Sequence, residues 1–189
     1  MRSPHSTNSR LHTQPQHSRE LGPDTGGQGG AIIKKIRNYN FKLSDVVGRG
    51  AFSTVYKGYE ESTEELVAIK VIELGRIESP ALVKLLYSEV DILKSIKHPN
   101  ILKCYDVYFS VNNCYIITEY CNGGDLKSLI IREGHFGEES ARKVVLGVYE
   151  GLRYLSEENI VHRDIKTANI FMKEGQPKIA DFGFAKRSR

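Results

Sequence analysis

Two short segments near the C-terminal end of the sequence carry oxygen-bearing side chains at close spacing. The first runs from His162 to Asn169, and the second is Asp181-Phe182-Gly183. Amide and carboxylate oxygens are hard ligands of the kind that magnesium prefers, so Asn169 and Asp181 are candidate magnesium ligands. Either segment alone can arise by accident. Their presence in this order, together with the features below, makes coincidence a poor explanation.

A glycine-rich segment lies further upstream, between two predicted strands. Glycines let the backbone approach phosphate oxygens closely and offer amide N–H groups to them. The segment is not a dinucleotide-binding fingerprint, because a strand follows where a helix is required. It also lacks the Gly-Lys-Ser/Thr ending of the Walker loop, and by itself it is compatible with a plain β-hairpin turn. The residues are Gly48, Arg49, Gly50, Ala51, Phe52, Ser53, Thr54 and Val55, with Ser53 where a third glycine is usual.

Two charged residues interrupt apolar patterns on neighbouring elements. Lys70 falls in the apolar strand Val67-Ala68-Ile69-Lys70, where the alternation of side chains puts it on the same face as Ala68 and Ile72. Glu89 lies on the apolar stripe of the following helix, one turn from Leu93. Buried charges require a partner, so the pattern indicates a Lys70–Glu89 ion pair. The alternatives are that Lys70 extends its amine to solvent and that Glu89 sits at the edge of the stripe.

The elements that must position these residues follow from the apolar periodicity. Strands are predicted where β-favouring runs lie between turn residues, and helices where apolar residues recur at helical spacing. Ser79 and Pro80 are typical of a helix start. The order of elements indicates an α+β protein in two lobes. The predicted strands are 41–47, 54–59, 66–72, 101–109, 114–120, 170–172 and 178–180, and the predicted helices are 80–96, 125–132 and 138–157.

The first 40 residues differ in composition from the rest of the chain. They contain six basic and two acidic residues, whereas residues 41–189 contain 21 of each, so the net charge of +4 belongs to this segment. Its first 30 residues almost lack apolar side chains, which predicts a disordered basic tail over residues 1–40. A tail of this kind can meet nucleic acid or acidic lipid, but no aromatic residue interleaves its charges, so specific nucleic-acid binding is not expected.

Cysteine usage and hydropathy restrict the class of protein further. The three cysteines, Cys104, Cys114 and Cys121, form no C-x-x-C pair, which argues against a disulfide framework or a zinc site. They are expected to be reduced thiols in a cytoplasmic protein. No apolar run reaches the roughly 18 residues that a transmembrane helix needs, and no secretory signal is expected.

With these motifs together, the chain resembles the protein kinase superfamily from about Phe41 to Arg189. The resemblance implies an α+β two-lobe fold with a five-stranded antiparallel N-lobe carrying one helix and an incomplete helical C-lobe. Its expected divisions are an N-lobe (41–118), a hinge (119–124) and a partial C-lobe (125–189). The cofactors would be ATP and Mg²⁺, and the partners protein substrates with serine or threonine hydroxyls.

The resemblance also implies a role for individual residues. The loop from Gly48 to Val55 would cover the ATP phosphates, and Lys70, held by Glu89, would contact the α- and β-phosphates. Asp164 would accept the substrate hydroxyl proton, and Lys166, two residues later, is the serine/threonine-kinase pattern. Asn169 and Asp181 would hold Mg²⁺.

Further matches concern the adenine and the apolar contacts between the lobes. Thr118 resembles the gatekeeper, and the backbone of Glu119 and Cys121 would bond the adenine edge. The ring would lie among Val55, Ala68 and Phe171, with Asp125 near the ribose.

An apolar stack that links the lobes in active kinases is matched by Leu93, Cys104, His162 and Phe182.

Within the superfamily, two segments look like the ULK, autophagy-initiating kinases, namely Glu119–Leu126 and Asp181–Lys186. Thr167 and Ala168 depart from the usual catalytic loop.

The sequence stops six residues after Gly183, so we expect a truncated kinase domain that exposes apolar surface on its C-terminal half and transfers phosphate poorly. The alternative is a non-catalytic short isoform that binds nucleotide or regulates another kinase.

Overall fold

The computed structural model describes residues 32–188, and its first half is an antiparallel sheet. The strands are β1 (Ile33–Ile36), β2 (Tyr39–Arg49), β3 (Ser53–Glu60), β4 (Leu66–Glu73), β5 (Cys104–Phe109) and β6 (Asn113–Glu119). Their order in the sheet is β1-β2-β3-β4-β6-β5, and every neighbouring pair is antiparallel.

The sheet corrects two expectations drawn from the sequence. It has six strands rather than five, because β1 pairs with the start of β2, from Ile33 opposite Lys42 to Ile36 opposite Tyr39. The segment 33–40 is therefore regular structure and not part of a disordered tail. The remainder of the expected tail, residues 1–31, lies outside the described residues.

Alternation along β4 and β6 sends side chains to two different apolar clusters. Val67 and Ile69 of β4 pack with Tyr115 and Ile117 of β6 on one face of the sheet. Ile72 of β4 packs with Cys114 and Ile116 of β6 on the opposite face, against the helix. Because side chains alternate with a period of two, Ala68 and Lys70 face the helix together with Ile72.

Helix α1 (Pro80–Ser95) covers this second face of the sheet. It begins after Ser79, whose backbone carbonyl accepts the N–H groups of Leu82 and Val83, although its side chain makes no capping hydrogen bond. Its buried residues follow one stripe, and they are Leu86, Glu89, Val90, Ile92 and Leu93. The fold thus places a glutamate among apolar neighbours on the side that faces the sheet.

The second half of the chain is helical with short hairpins. Asp125 caps α2 (Leu126–Glu133), and α3 (Glu138–Glu157) begins after Gly137. Strand β8 (Ile170–Lys173) pairs with β9 (Gln176–Ile179), and the two-residue strands β7 (Ile160–Val161) and β10 (Lys186–Arg187) pair with each other. This α+β arrangement confirms the fold class expected from the sequence.

One apolar cluster joins the two halves of the fold. It contains residues of α1 and β6 together with residues of α2, α3, β8, β9 and the segment after β9, including Leu93, Leu155, Ile179 and Phe182. On α3, however, Val145, Leu146 and Tyr149 are exposed, in line with the apolar surface expected for this half. Between residues 32 and 188, no helix combines the length and the apolar composition needed to cross a bilayer.

Candidate active site

The Lys70–Glu89 pair lies between the sheet and α1. The Nζ atom of Lys70 is 3.0 Å from Oε1 of Glu89, and the Glu89 side chain is nearly buried. Burial opposes the charged form of Lys70, but the charge and hydrogen bond of Glu89 outweigh it and raise the pKa of the amine above its ordinary value. The carboxylate of Asp181 is close enough to add to this effect. Lys70 therefore stays a cation at neutral pH.

Asp181 approaches the same point from the other half of the fold. A methyl group added at Gly183 would lie 3.3 Å from Oδ1 of Asp181 and 3.6 Å from Oε2 of Glu89, so both carboxylates flank this glycine. The backbone of Asp181 has a φ of +64°, in the left-handed region that a non-glycine residue seldom adopts. Such conformations are held only where the surrounding structure enforces them, and they cluster at functional sites.

Asp164, Lys166 and Asn169 form one hydrogen-bonded group. Oδ2 of Asp164 accepts hydrogen bonds from Nζ of Lys166 at 2.8 Å and from Nδ2 of Asn169 at 3.0 Å. The backbone carbonyl of Asp164 accepts a further hydrogen bond from Nδ2 of Asn169 at 2.9 Å. The hydrogen bond from Lys166 lowers the pKa of Asp164, against a smaller effect of burial, and Asn169 adds to the lowering. Asp164 is therefore an ionised, oriented carboxylate, as a proton acceptor must be.

The residues expected to hold magnesium suit that ion in chemistry. Nδ2 of the buried Asn169 faces Asp164, so its amide oxygen is the atom left for a cation. Among residues 32–188, no three His, Cys, Asp or Glu side chains are grouped so that they could hold a metal by themselves. Asn169 and Asp181 would thus need phosphate oxygens and water to complete the coordination, which is how magnesium commonly binds in phosphoryl-transfer sites.

The glycine-rich segment forms the turn between β2 and β3. Gly48 pairs with Val55 across the two strands, and the Gly50 N–H donates to the Ser53 carbonyl at 2.8 Å. No group within residues 32–188 accepts the N–H of Ala51 or Phe52, so these two amides are available to an anion. The turn is thus a β-hairpin, the plain alternative, and it also presents donors of the type that a phosphate requires.

The residues expected around adenine lie on adjacent strands and on the hinge. Val55 is opposite Lys70, and Ala68 is opposite Thr118. No residue of the described chain accepts the N–H of Cys121, although the Glu119 N–H donates to the Lys103 carbonyl at 3.0 Å. The adenine edge would therefore find a free donor at Cys121, while Glu119 can contribute only its carbonyl. Burial raises the pKa of the Cys121 thiol to about 12, so this cysteine is not a nucleophile at neutral pH.

Phe171 and Asp125 face each other in an isolated bridge between the end of the hinge and β8. Two backbone hydrogen bonds strengthen this junction, from Gly123 N–H to the Met172 carbonyl at 2.9 Å and from Met172 N–H to the Gly124 carbonyl at 2.8 Å. Both carboxylate oxygens of Asp125 already accept hydrogen bonds from Ser128. A ribose contact at Asp125 would compete with this helix cap, so its predicted role is the one that the geometry favours least.

The four residues of the expected apolar stack meet at the junction of the two halves. The rings of His162 and Phe182 pack edge to face with centroids 4.9 Å apart. Leu93 and Phe182 belong to the joining cluster, and Cys104 packs against it. Nε2 of His162 is 3.0 Å from the Ala180 carbonyl, which fixes the ring just before Asp181. The stack therefore connects α1 to the segment that carries Asp181.

Two lysines that the sequence analysis did not select also reach the hinge. Lys173 and Lys178, on the β8–β9 hairpin, both bind the buried carboxylate of Glu119. Only their position near a predicted hinge glutamate could have drawn attention to them.

Two cavities, of about 340 and 260 Å³, lie elsewhere, and none of the predicted nucleotide- or metal-binding residues lines either of them.

The antiparallel sheet covered by α1, the helical second half, the Lys70–Glu89 pair beside Asp181 and the Asp164–Lys166–Asn169 group are together typical of the protein kinase class. A family model described as "Protein kinase domain" matches residues 41–189, and the chain belongs to this family. The ordered elements before residue 41, which include β1, precede the matched region.

The chain is similar to several curated proteins, and one of the three described below is named a serine/threonine-protein kinase. The cytokinesis protein sepH of Emericella nidulans is 37% identical over 95% of this chain. Cell division control protein 7 of Schizosaccharomyces pombe is 37% identical over 81% of it, and serine/threonine-protein kinase SIK1 of Rattus norvegicus is 35% identical over 84%. The chain spans only 13%, 14% and 20% of the lengths of these three relatives.

Proposed function

We propose that the chain binds Mg²⁺-ATP in the cleft between its two halves and transfers the γ-phosphoryl group to serine or threonine hydroxyls of proteins. The observation that carries the proposal is the convergence of Lys70 and Asp181, which are 111 residues apart in sequence, beside Glu89. A cation next to a carboxylate metal ligand suits a polyphosphate, because positioning and charge neutralisation supply most of the catalysis in phosphoryl transfer.

Each residue has a defined task in this reaction. Lys70, kept protonated by Glu89, binds phosphate oxygens, and the free amides of Ala51 and Phe52 approach them from the hairpin. Asn169 and Asp181 would hold Mg²⁺, which supplies charge neutralisation on the phosphates when bound.

The acceptor side of the reaction belongs to Asp164 and Lys166. Asp164, oriented by Asn169, accepts the proton of the substrate hydroxyl as the oxygen bonds to phosphorus and the bond to the leaving ADP breaks. Lys166 lies 2.8 Å from Oδ2 of Asp164, so its charge is placed close to the attacking oxygen.

A transfer assay with labelled ATP tests the proposal. The chain is incubated with γ-labelled Mg²⁺-ATP and peptide libraries whose only acceptor is serine, threonine or tyrosine. Weak incorporation into the serine and threonine libraries is expected, in keeping with the poor transfer expected from the sequence, and Asp164→Asn should lower it by about 100-fold or more. The matched control is Asp91→Asn, which changes an exposed aspartate on α1. Incorporation that Asp164→Asn leaves unchanged would contradict the proposal.

A narrower proposal concerns the subfamily and the location. The segments Glu119–Leu126 and Asp181–Lys186 support a ULK-type kinase acting in autophagy, whereas the relatives reported above have names from cytokinesis, cell division and other serine/threonine kinases. Three free cysteines support a cytoplasmic location. A positional-scanning peptide library, run beside a ULK kinase, tests the subfamily: a different residue preference around the acceptor would contradict it.

A further inference from the structure

The carboxylate of Glu119 is the most completely enclosed charge at the hinge. The residue is 4% exposed, at the end of β6. Oε1 accepts the Lys103 N–H at 2.9 Å and Nζ of Lys178 at 3.1 Å, and Oε2 accepts Nζ of Lys173 at 3.0 Å. Every oxygen therefore has a partner, and two of the three partners are cations.

The two lysines come from one face of the β8–β9 hairpin. Lys178 is directly opposite Phe171 in the hairpin register, and Lys173 follows Phe171 by two positions on the same strand. Directly opposed residues and residues two apart share a face of a sheet. The face that carries Phe171 is therefore the face that the two ion pairs hold against the hinge, while Ile170 and Ile179 of the opposite face enter the core.

The bridge is ionised at neutral pH. Burial opposes ionisation of Glu119, but the hydrogen bonds from the Lys103 amide and from both lysines outweigh it and lower the pKa of the carboxyl below its ordinary value. Burial also opposes the charge of Lys173, yet Glu119 raises the pKa of that amine. Removing one partner of a buried ion pair leaves a desolvated charge without compensation, so the hinge and the hairpin should stay together as one unit.

We propose that Glu119, Lys173 and Lys178 are positioning residues that lock the hinge backbone to the hairpin and so set the spacing between Cys121 and Phe171 that an adenine ring needs. This inference rests on the proposed nucleotide site, since it assigns a task within it. The role is played by side chains, whereas the sequence analysis assigned Glu119 to the adenine edge through its backbone. The backbone hydrogen bonds that Met172 makes with Gly123 and Gly124 form a second attachment, so loss of the bridge should loosen the hinge without detaching it.

The test compares Glu119→Gln with a control in an exposed triad of the same type. Glu150→Gln removes one carboxylate from the pairs that Arg153 makes with Glu150 and Glu157 on the surface of α3. Mg²⁺-ATP affinity is measured by calorimetry, and hydrogen exchange is measured for the backbone amides of residues 120–124 without nucleotide. Glu119→Gln should weaken affinity by about tenfold and speed hinge exchange by at least about threefold, while α3 amides stay unchanged. Glu150→Gln should change neither quantity.

The lysine variants separate positioning from a general loss of stability. Lys178 has an 11% exposed side chain and Lys173 a 27% exposed one, so Lys178→Met should weaken affinity more than Lys173→Met. Combining Lys178→Met with Glu119→Gln should reduce the free energy of Mg²⁺-ATP binding by less than the sum of the two separate reductions, because the two residues act as a pair. Inorganic tripolyphosphate with Mg²⁺, which has no adenine, should bind all variants equally if the bridge acts through the hinge.

The two proposals fail in different ways. If the unmodified chain does not bind Mg²⁺-ATP, the proposed function is overturned, and with it the adenine-spacing role of the bridge, while the exchange data still report whether the bridge locks the hinge. If the unmodified chain binds Mg²⁺-ATP but Glu119→Gln binds it equally well with unchanged hinge exchange, only the positioning role is overturned. The positioning role would also be contradicted if Glu119→Gln weakened the binding of tripolyphosphate as much as it weakened the binding of Mg²⁺-ATP.

Discussion

Nζ of Lys70 lies 3.0 Å from Oε1 of Glu89, and this contact joins strand β4 of the sheet to helix α1, which packs on the sheet. The two residues are 19 positions apart. Lys70 shares the helix-facing side of β4 with Ile72, while Glu89 interrupts the apolar stripe of α1. The position of α1 therefore decides whether the lysine is paired and where its charge lies in the cleft.

Glu89→Gln is expected to destabilise the fold, because it leaves the part-buried ammonium of Lys70 without its anion. The Lys70 side chain is 31% exposed, so water recovers part of the loss and the free energy of unfolding should fall by about 1–3 kcal/mol. Urea denaturation measures the change. Glu139→Gln, in the exposed pair with Lys143, is the control and should change stability by less than about 0.5 kcal/mol. Equal effects of the two variants would show that the Lys70 pair is merely a surface contact.

Gly123→Ala tests the junction between the hinge and β8. An added methyl group would lie 2.8 Å from both the Cβ atom and the carbonyl oxygen of Met172, so the two backbone hydrogen bonds at this junction would have to shift. The expected loss is about 1–3 kcal/mol in the free energy of unfolding, with weaker Mg²⁺-ATP binding. Gly75→Ala is the control, since no atom lies within 4 Å of the added group. Wild-type stability of Gly123→Ala would contradict the close hinge contact.

His162 predicts how stability depends on pH. Burial lowers the pKa of its imidazole, despite the opposing effect of the Ala180 carbonyl and of nearby carboxylates. A pKa that is lower in the folded state than in the unfolded state means that protonation favours unfolding. The stability that the fold has with a neutral His162 is therefore fully present above the unfolded pKa of about 6.5, and part of it is lost as the pH falls from that value towards the folded pKa.

The measurement is the free energy of unfolding between pH 7.5 and 5, for the unmodified chain and for His162→Gln. Burial also lowers the pKa of His98, so the unmodified chain should retain a second source of acid sensitivity. His162→Gln should therefore show a smaller, but not absent, decrease in stability towards low pH. His135→Asn changes an exposed histidine and should follow the unmodified chain. A steeper decrease in His162→Gln would reverse the sign that burial predicts.

Lys166→Met tests the electrostatics of the predicted catalytic base. The Lys166 hydrogen bond is the main cause of the lowered pKa of Asp164, so its removal should return this pKa towards the ordinary value of an aspartate. Carboxyl carbon chemical shifts in an NMR pH titration report the change without an activity assay. Lys143→Met removes an exposed lysine of α3 and should leave the pKa of Asp164 unchanged. An unchanged Asp164 titration in Lys166→Met would mean that the ion pair does not form in solution.

The local pattern of the sequence predicted most of the elements. Apolar periodicity gave α3 its bounds, Glu138–Glu157, and Ser79-Pro80 marked the start of α1. Strand β1 was missed because its sequence, Ile33-Lys34-Lys35-Ile36, is short, basic and preceded by a segment with almost no apolar residues. It is stabilised by pairing with β2, which is a tertiary effect. The two-residue strands β7 and β10 carry too little pattern to be recognised.

For the site, the sequence predicted pairs of residues better than it predicted networks. Lys70 and Glu89 could be matched because each was a charge in an apolar pattern, and such a charge needs a partner. The Glu119 bridge could not be found in this way, since Lys173 and Lys178 lie in short strands beside turn residues, where a lysine is ordinary. Likewise, Asp125 matches a family position, but only the structure shows that both of its carboxylate oxygens accept hydrogen bonds from Ser128.

Calorimetric titration of the chain with ATP, in the presence and absence of Mg²⁺, tests the central claim most directly. The account predicts saturable binding of one nucleotide per chain that strengthens with Mg²⁺. Lys70→Met should weaken the binding whether or not Mg²⁺ is present, and Asp181→Asn should abolish only the gain from Mg²⁺. Absence of binding at millimolar ATP, or binding that neither variant alters, would contradict the convergence of these residues on one nucleotide.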